Sequence, residues 1–512
     1  MLKSIGQRRR QESILRSIPS PLRGWNTVDS ISDMNPLYAL DMENWFPRPS
    51  DIMLRQGYSD QVTSIANGQV ESLMAYSSPA GTEALYCASG GAIYNCTQAT
   101  ATASVAASGF ANARWEHTNF TNTGGTSYLL MVNGANGLRS FNGTTWDQQA
   151  ITNATASAFA NISLHKNRVW FCKDASLEAW YLNTGAVSGA ANKLDLSGFC
   201  RLGGELMTIG TWTLDAGDGV DDYWVAVTSN GEVIVYKGTD PTSASTWAMV
   251  GRWEVAKPLS RRCFTQYGAD LLYLAEDGIW PLAGLLSSER TSPLVALSNK
   301  IADAVRQAAS SYRDNFGWQI LYWPRETMVL ANIPVAEGSR QRQYVMNSIT
   351  KAWGYFTGVS ANCFGVYQGN LYFGGNGFVS RFWHTFADDG TAITGNVKQA
   401  FNYFKNKSRK QFVMARPILS TNGSPSISFG MNTDFSDNNV LSTLTFSPTA
   451  YGVWDTATWD NGIWGGSLNV NRNWVNVSGL GFSGAPRMRV QSSGIETHWA
   501  STDVLFKPGG VL

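Results

Sequence analysis

Charge is scarce in this chain. Only 15% of its 512 residues are Asp, Glu, Lys or Arg, against about 25% in an ordinary globular protein. The 39 basic and 38 acidic residues leave a net charge of +1, which excludes a globally basic coat for nucleic acid. Histidine is scarcer still: four residues, at 117, 165, 384 and 498, with no HExxH and no pair at i, i+4. Each is expected to be structural. The six cysteines, at 87, 96, 172, 200, 263 and 363, form no CxxC and lie at no finger-like spacing to a histidine, so they are expected as buried, reduced thiols made in a reducing cytosol. No apolar run approaches the ~20 residues that span a bilayer. The basic start MLKSIGQRRRQESILRSIPSP is not followed by the apolar stretch of a secretory leader. GxSxG and GxxxxGK[ST] are both missing. The acidic loop with Asp215, Asp218, Asp221 and Asp222 lacks the Glu of an EF-hand, Ala226 standing in its place. It is expected to be a polar hairpin loop. These absences single out no metal or cofactor, and no spacing singles out a carboxylate pair for glycosidic cleavage, a chemistry that the sequence leaves open.

Aromatics and glycine are abundant: 20 Trp, 19 Tyr, 23 Phe and 50 Gly. Flat rings suit a pleated surface and glycine supplies the positive φ of tight turns. Turn dipeptides flanked by apolar strands recur at Gly90-Gly91, Asn136-Gly137, Asn230-Gly231, Asp277-Gly278 and Asn376-Gly377, as type I′ hairpins would require. Their separations are 46, 94, 47 and 99 residues. The two long gaps are about double the short ones, so each should hide a divergent unit: one turning near Asp174, the other in FGWQILYWPRETMVLANI and QYVMNSITKAWGYF. Seven units of about 48 residues, each with about four short strands, are the pattern of a β-propeller. The fold class expected is all-β: a propeller of six or seven blades over residues 67–390, with an N-terminal extended arm and a C-terminal β-sandwich. A helix is expected to interrupt the propeller near 297–310, N-capped by Ser298, with Ile301, Ala304, Val305 and Ala308 on one face. Residues 52–65 are a candidate for the strand that closes the ring. Two stacked sandwiches are the alternative architecture.

Residues 1–66, broken by Pro19, Pro21, Pro36, Pro47 and Pro49, read as an arm that takes its order from a partner. From 391 to 512 strands continue but the hairpin period is lost, which predicts a separate antiparallel sandwich. Charge is divided along the chain: residues 1–25 carry +5, residues 393–512 carry +4, and the stretch between them carries −8. An acidic wall keeps a polyanion from adhering. The run Arg8, Arg9, Arg10 is a candidate dock for an acidic partner. Trp454, Trp459 and Trp464, spaced five apart, are candidate interface anchors, or sugar platforms if the protein is instead a carbohydrate-binding or glycan-cleaving propeller acting on host surface glycans.

One stretch carries more specific information. In PLRGWNTVDSISDMNPLYALDMENWFPRPSDIMLRQGY, Gly24, Trp25, Asn26, Asp29, Asn44, Trp45, Phe46, Pro47, Arg55 and Gly57 match a pattern similar to that of virion proteins of short-tailed phages. Arg23 stands where that pattern commonly has a first Gly. SNKI at 298–301 and the Trp-Asp texture of the last domain also resemble that group, whose tail nozzle (hub) proteins are β-propellers. The resemblance implies a structural virion protein without an active site. It would be assembled in the host cytoplasm and form a ring, six copies by the family's habit, below the portal and adaptor. Such a ring extends the DNA channel, takes part in genome retention and ejection, lets duplex DNA pass without sequence-specific binding, and often carries fibres or tail-tip proteins. Trp25, Trp45 and Phe46 are then candidate interface anchors. Deleting residues 1–60 is expected to leave the propeller folded and to block attachment to the adaptor.

Overall fold

The structure is a computed structural model that describes residues 12–215, 220–287, 295–437, 442–444 and 468–509. The chain forms two compact units. One comprises residues 58–345 and 357–384. The other is assembled from residues 1–57, 346–356 and 385–512.

The first unit is a seven-bladed β-propeller. Blades 1 to 4 are four-stranded antiparallel meanders over residues 70–108, 116–148, 159–195 and 206–254. Blade 5 pairs Phe264–Tyr267, Asp270–Ala275 and Gly278–Pro281. Blade 6 contains Gln319–Trp323, Met328–Ala336 and Arg340–Asn347. Blade 7 runs Cys363–Tyr367, Asn370–Gly374, Val379–Thr385, and takes its next strand, Gly57–Ser64, from the other end of the chain. The first strand of each blade is innermost. Inner strands of neighbouring blades touch around the circuit, Leu206–Asp215 of blade 4 meeting Asp270–Ala275 of blade 5, and Cys363–Tyr367 meets Val70–Ser77 to close it. The ring therefore has no free seam, which is how this fold protects its edges.

All five turn dipeptides join the second and third strands of a blade, and the two hidden units are blades 3 and 6. The turn chemistry differs from expectation. At 136–137, 230–231 and 376–377 only the glycine has positive φ. Paired left-handed residues, as in a type I′ turn, occur instead at Lys166-Asn167 and Gln368-Gly369, between first and second strands. The inserted helix is Ala302–Tyr312, led by the 3-10 turn Asn299–Ile301. Ile301, Ala304, Val305 and Ala308 are buried as its spacing requires. Ser298 makes no side-chain cap bond. Its hydroxyl accepts the Ile279 N–H at 2.8 Å instead, tying the insertion to blade 5.

The second unit corrects the expected domain boundaries. Residues 12–57 are not an arm awaiting a partner. Ile14–Pro19 pairs antiparallel with Thr497–Pro508, Tyr38–Glu43 with Ile393–Gln399, and Ile52–Leu54 with both Trp45–Pro47 and Thr497–Pro508. The prolines sit at strand ends and turns, where no ladder N–H is lost. Thr497–Pro508 and Lys410–Thr421 centre one sheet; Ile393–Gln399 and Gly484–Ser492 centre the other. The two sheets face each other, with Phe429 edge-on to Trp499 at 6.3 Å. The expected C-terminal sandwich is thus completed by N-terminal strands. Its core was hidden from sequence reading because each half of the chain supplies only part of the apolar face.

Candidate functional site

Two places in the molecule concentrate polar chemistry, one in each unit. The first is the propeller axis. A cavity of about 230 Å³ is lined by residues of the inner strands, among them Leu73, His117, Asn161, Thr208, Phe264 and Phe364. A wider mouth of about 530 Å³ opens beside Arg114, Arg261, Arg262, Arg313 and Phe316. Arg262, at the start of blade 5, reaches across the axis. Its Nε donates to Glu116 at 2.8 Å, its Nη1 to the Glu71 carbonyl at 3.0 Å, and its Nη2 to Ser72 Oγ at 2.9 Å and the Trp115 carbonyl at 3.1 Å. Arg261 turns to blades 3 and 4, pairing with Asp174 at 2.8 Å and Glu205 at 3.2 Å. Arg114 bridges Glu71 and Glu337 and lies over Phe316 at 4.2 Å.

These groups brace one another across the axis. Every guanidinium at the axis has a carboxylate partner, and forked donors hold such geometry well. His117 faces the cavity, where its ring is open to water; the crowding of the surrounding blades, then the Arg262 charge, push its pKa below the ordinary value. Burial pushes the Cys172 and Cys363 thiols up to about 12 and the Cys263 thiol higher, which makes them inert. A cavity this size holds a few waters and no nucleic-acid strand. Sequence reading passed over Arg261 and Arg262. A signal existed: acids open the inner strands of blades 1, 2 and 4, at Glu71, Glu116 and Glu205, and the Arg pair opens blade 5 at the same place in the repeat.

The second place is the N-terminal motif, and here the structure corrects a site assignment. Trp25, Trp45 and Phe46 are buried within their own chain, Trp45 completely; they are core residues and offer nothing to a partner. Asn44 adopts φ +60, and its side chain donates to the Thr394 carbonyl at 2.7 Å while its Oδ1 accepts Arg55 Nε at 2.9 Å. Arg55, 1% exposed, binds Asp388 through both nitrogens, at 2.7 and 2.6 Å. A Cβ on Gly57 would lie 2.0 Å from the Ala387 carbonyl oxygen, and one on Gly24 2.3 Å from that of Trp353. Asn26 accepts the Val28 and Asp29 N–H groups and donates to the Asp29 carboxylate. The pattern from Gly24 to Gly57 is therefore a set of packing and turn requirements.

Arg8, Arg9, Arg10, Trp454, Trp459 and Trp464 lie outside the described residues, and so does the tip of the acidic loop. Asp222 of that loop is engaged by Lys166 at 2.9 Å and Thr213 at 3.0 Å. Among the described residues no group of three or more His, Cys, Asp and Glu is placed to hold a metal ion, and no helix is long and apolar enough to cross a membrane.

No protein-family model matches the chain, and no curated protein matches it. Solved structures similar to it include propellers. The WD40 β-propeller domain of Doa1 is 8% identical, with 64% of this chain and 97% of that one aligned at a TM-score of 0.37. YCF48 bound to D1 peptide is 10% identical over 68% and 96%, TM-score 0.34. BamB from Moraxella catarrhalis is 10% identical over 72% and 97%, TM-score 0.32. The class defined by the sheet topology is the all-β propeller.

Proposed function

We propose that this protein is a structural component of a short phage tail, a tail nozzle or hub. In this reading copies assemble into a hexameric ring below the portal and adaptor, extend the DNA channel, and take part in genome retention and ejection. The observation that carries the reading is the residue pattern from Gly24 to Gly57 joined, in one chain, to a propeller of seven blades. The axial brace agrees with it. Arg262 closes the propeller's own axis, so a conduit for duplex DNA has to lie between copies. Closed rings of identical heterologous contacts provide such a space. The net charge of −8 over residues 26–392 gives the walls of such a conduit little hold on a polyanion. The chain then acts by assembly, located in the virion and assembled in the host cytoplasm, with the adaptor, and fibres or tip proteins, as partners.

Negative-stain imaging of the purified full-length chain over a range of concentrations, with mass spectrometry of virions, tests this. Rings of six copies and a stoichiometric virion component are the expected result. A strictly monomeric species at every concentration, absent from virions, would overturn it.

A further inference from the structure

Two cysteines that show no pairing pattern in the sequence meet inside blade 1. Cys87 lies on Glu83–Ser89 and Cys96 directly follows Ala92–Asn95, the next strand of the hairpin. Cys87 stands opposite Tyr94, and the Cys96 N–H bonds to the Leu85 carbonyl at 2.8 Å. The two side chains therefore lie diagonally across one face, and their Sγ atoms are 3.3 Å apart. Both are fully buried. They belong to the core cluster that also holds Val62 of the closing strand, Val70 of blade 1, and Cys363 and Val379 of blade 7. That cluster is the seam where the two ends of the propeller segment meet. Cys363 is turned away to the Val70 carbonyl at 3.6 Å.

We propose that Cys87 and Cys96 are a thiol–disulfide site, which a disulfide oxidant such as glutathione disulfide converts into an intramolecular bond that staples blade 1 at the ring's seam. The sulfurs must close from 3.3 Å to about 2.0 Å, and because diagonal cross-strand positions lie near the outer limit of disulfide Cα separation, closure draws the two strands together as well as rotating the side chains. One cysteine, as thiolate, attacks glutathione disulfide and releases one glutathione. The other then displaces the second glutathione from the mixed disulfide. The two protein thiols lose two protons and two electrons, and glutathione disulfide becomes two glutathione molecules. The hydrogen bond to Cys96, then burial, raise the Cys87 pKa well above its ordinary value, so exchange proceeds through brief opening of the hairpin. Its outer neighbour, Ser104–Ser108, is a largely exposed edge. The pair stays reduced at a cytosolic glutathione poise and closes in an oxidising medium. This inference stands independently of the tail reading.

The test incubates the full-length protein in glutathione buffers of increasing oxidised fraction, with and without urea below the unfolding midpoint. Free thiols are then alkylated in denaturant, and the protein is digested without reduction by chymotrypsin, which cuts after Tyr94. Mass spectrometry is expected to find a Cys87–Cys96 linked peptide two hydrogens lighter than its reduced parts, growing with the oxidised fraction and faster in urea. It should vanish in C87S and C96S and persist in C363S. Separate alkyl or glutathione groups on both cysteines under every condition, or a bond from either to Cys363, would overturn the proposal.

Discussion

The two units are held together in opposite ways. In the propeller, strand neighbours are mostly neighbours in sequence: hairpin follows hairpin, while blade 7 takes Gly57–Ser64, with Thr100–Thr102 paired to it, from elsewhere in the chain. In the sandwich unit almost nothing is local. Ile14–Pro19 pairs with Thr497–Pro508, Arg55 with a carboxylate 333 positions on, and Gln399 donates to the carbonyls of Pro19 and Pro36. Loop closure must be completed before such contacts stabilise anything. The sandwich unit therefore depends on a few exacting side chains, whereas the propeller spreads its stability over a repeated core. The difference teaches that a contiguous motif such as Gly24–Gly57 can be required in full by a fold whose other half lies hundreds of residues away.

The largest effect that would break this comparison is truncation. Removing residues 1–56 should abolish the sandwich unit and leave the propeller's hydrogen-exchange protection intact. Removing residues 1–66 should also open the propeller, because Gly57–Ser64 is lost from blade 7. This sharpens the expectation for a 1–60 deletion, which would cut into the closing strand. Equal protection of the propeller in both truncations would refute the closing role of Gly57–Ser64. Next comes Arg55→Ala, which empties a buried guanidinium site and leaves the half-buried Asp388 unpaired, and should cost about 3–4 kcal/mol. Denaturant unfolding followed by probes in each unit should show the loss in the sandwich unit alone.

Arg262→Ala should cost somewhat less, about 3 kcal/mol, by leaving Glu116 without its partner at the axis. Here the loss should fall on the propeller. The smallest effect concerns His498. Burial opposes its charge, but hydrogen bonds to Asp51 and Glu496 outweigh burial and the nearby Arg48, and they raise its pKa. A raised folded-state value means that the stabilisation is complete below the unfolded value, ordinarily about 6.5, and is lost as pH rises through the folded one. The sandwich unit should thus lose stability as pH rises from about 6 through neutrality. His498→Gln should flatten that slope in melts recorded across the range, and an unchanged slope would remove His498 from the account.

Five of the units were legible because each carries its own turn dipeptide, and the other two because the spacing doubles where they lie. Gly137, Gly231 and Gly377 mark second-to-third strand connections that a side chain at positive φ would strain. Val70–Ser77 and Cys363–Tyr367 could be picked out by apolar content, as could the helix by the spacing of Ile301, Ala304, Val305 and Ala308. Trp45 and Phe46 were misplaced as interface anchors for a physical reason. An aromatic residue in an extended, proline-flanked segment looks the same whether it is covered by another molecule or by strands contributed from residue 393 onward. The axial arginines were passed over because charge pairing across a ring depends on which blades face each other.

By itself the sequence determined the local units: the hairpins, their period, the inserted helix and the scarcity of reactive side chains, all set by φ preferences and short-range apolar patterning. The sequence offered residues 52–65 as a closing strand, but only the tertiary structure decided that Gly57–Ser64 pairs in blade 7, that the N-terminal strands complete the C-terminal sandwich, and that Arg262 meets Glu116 across the axis. Those pairings are chosen by the joint burial of faces far apart in the chain, and no single segment encodes them alone.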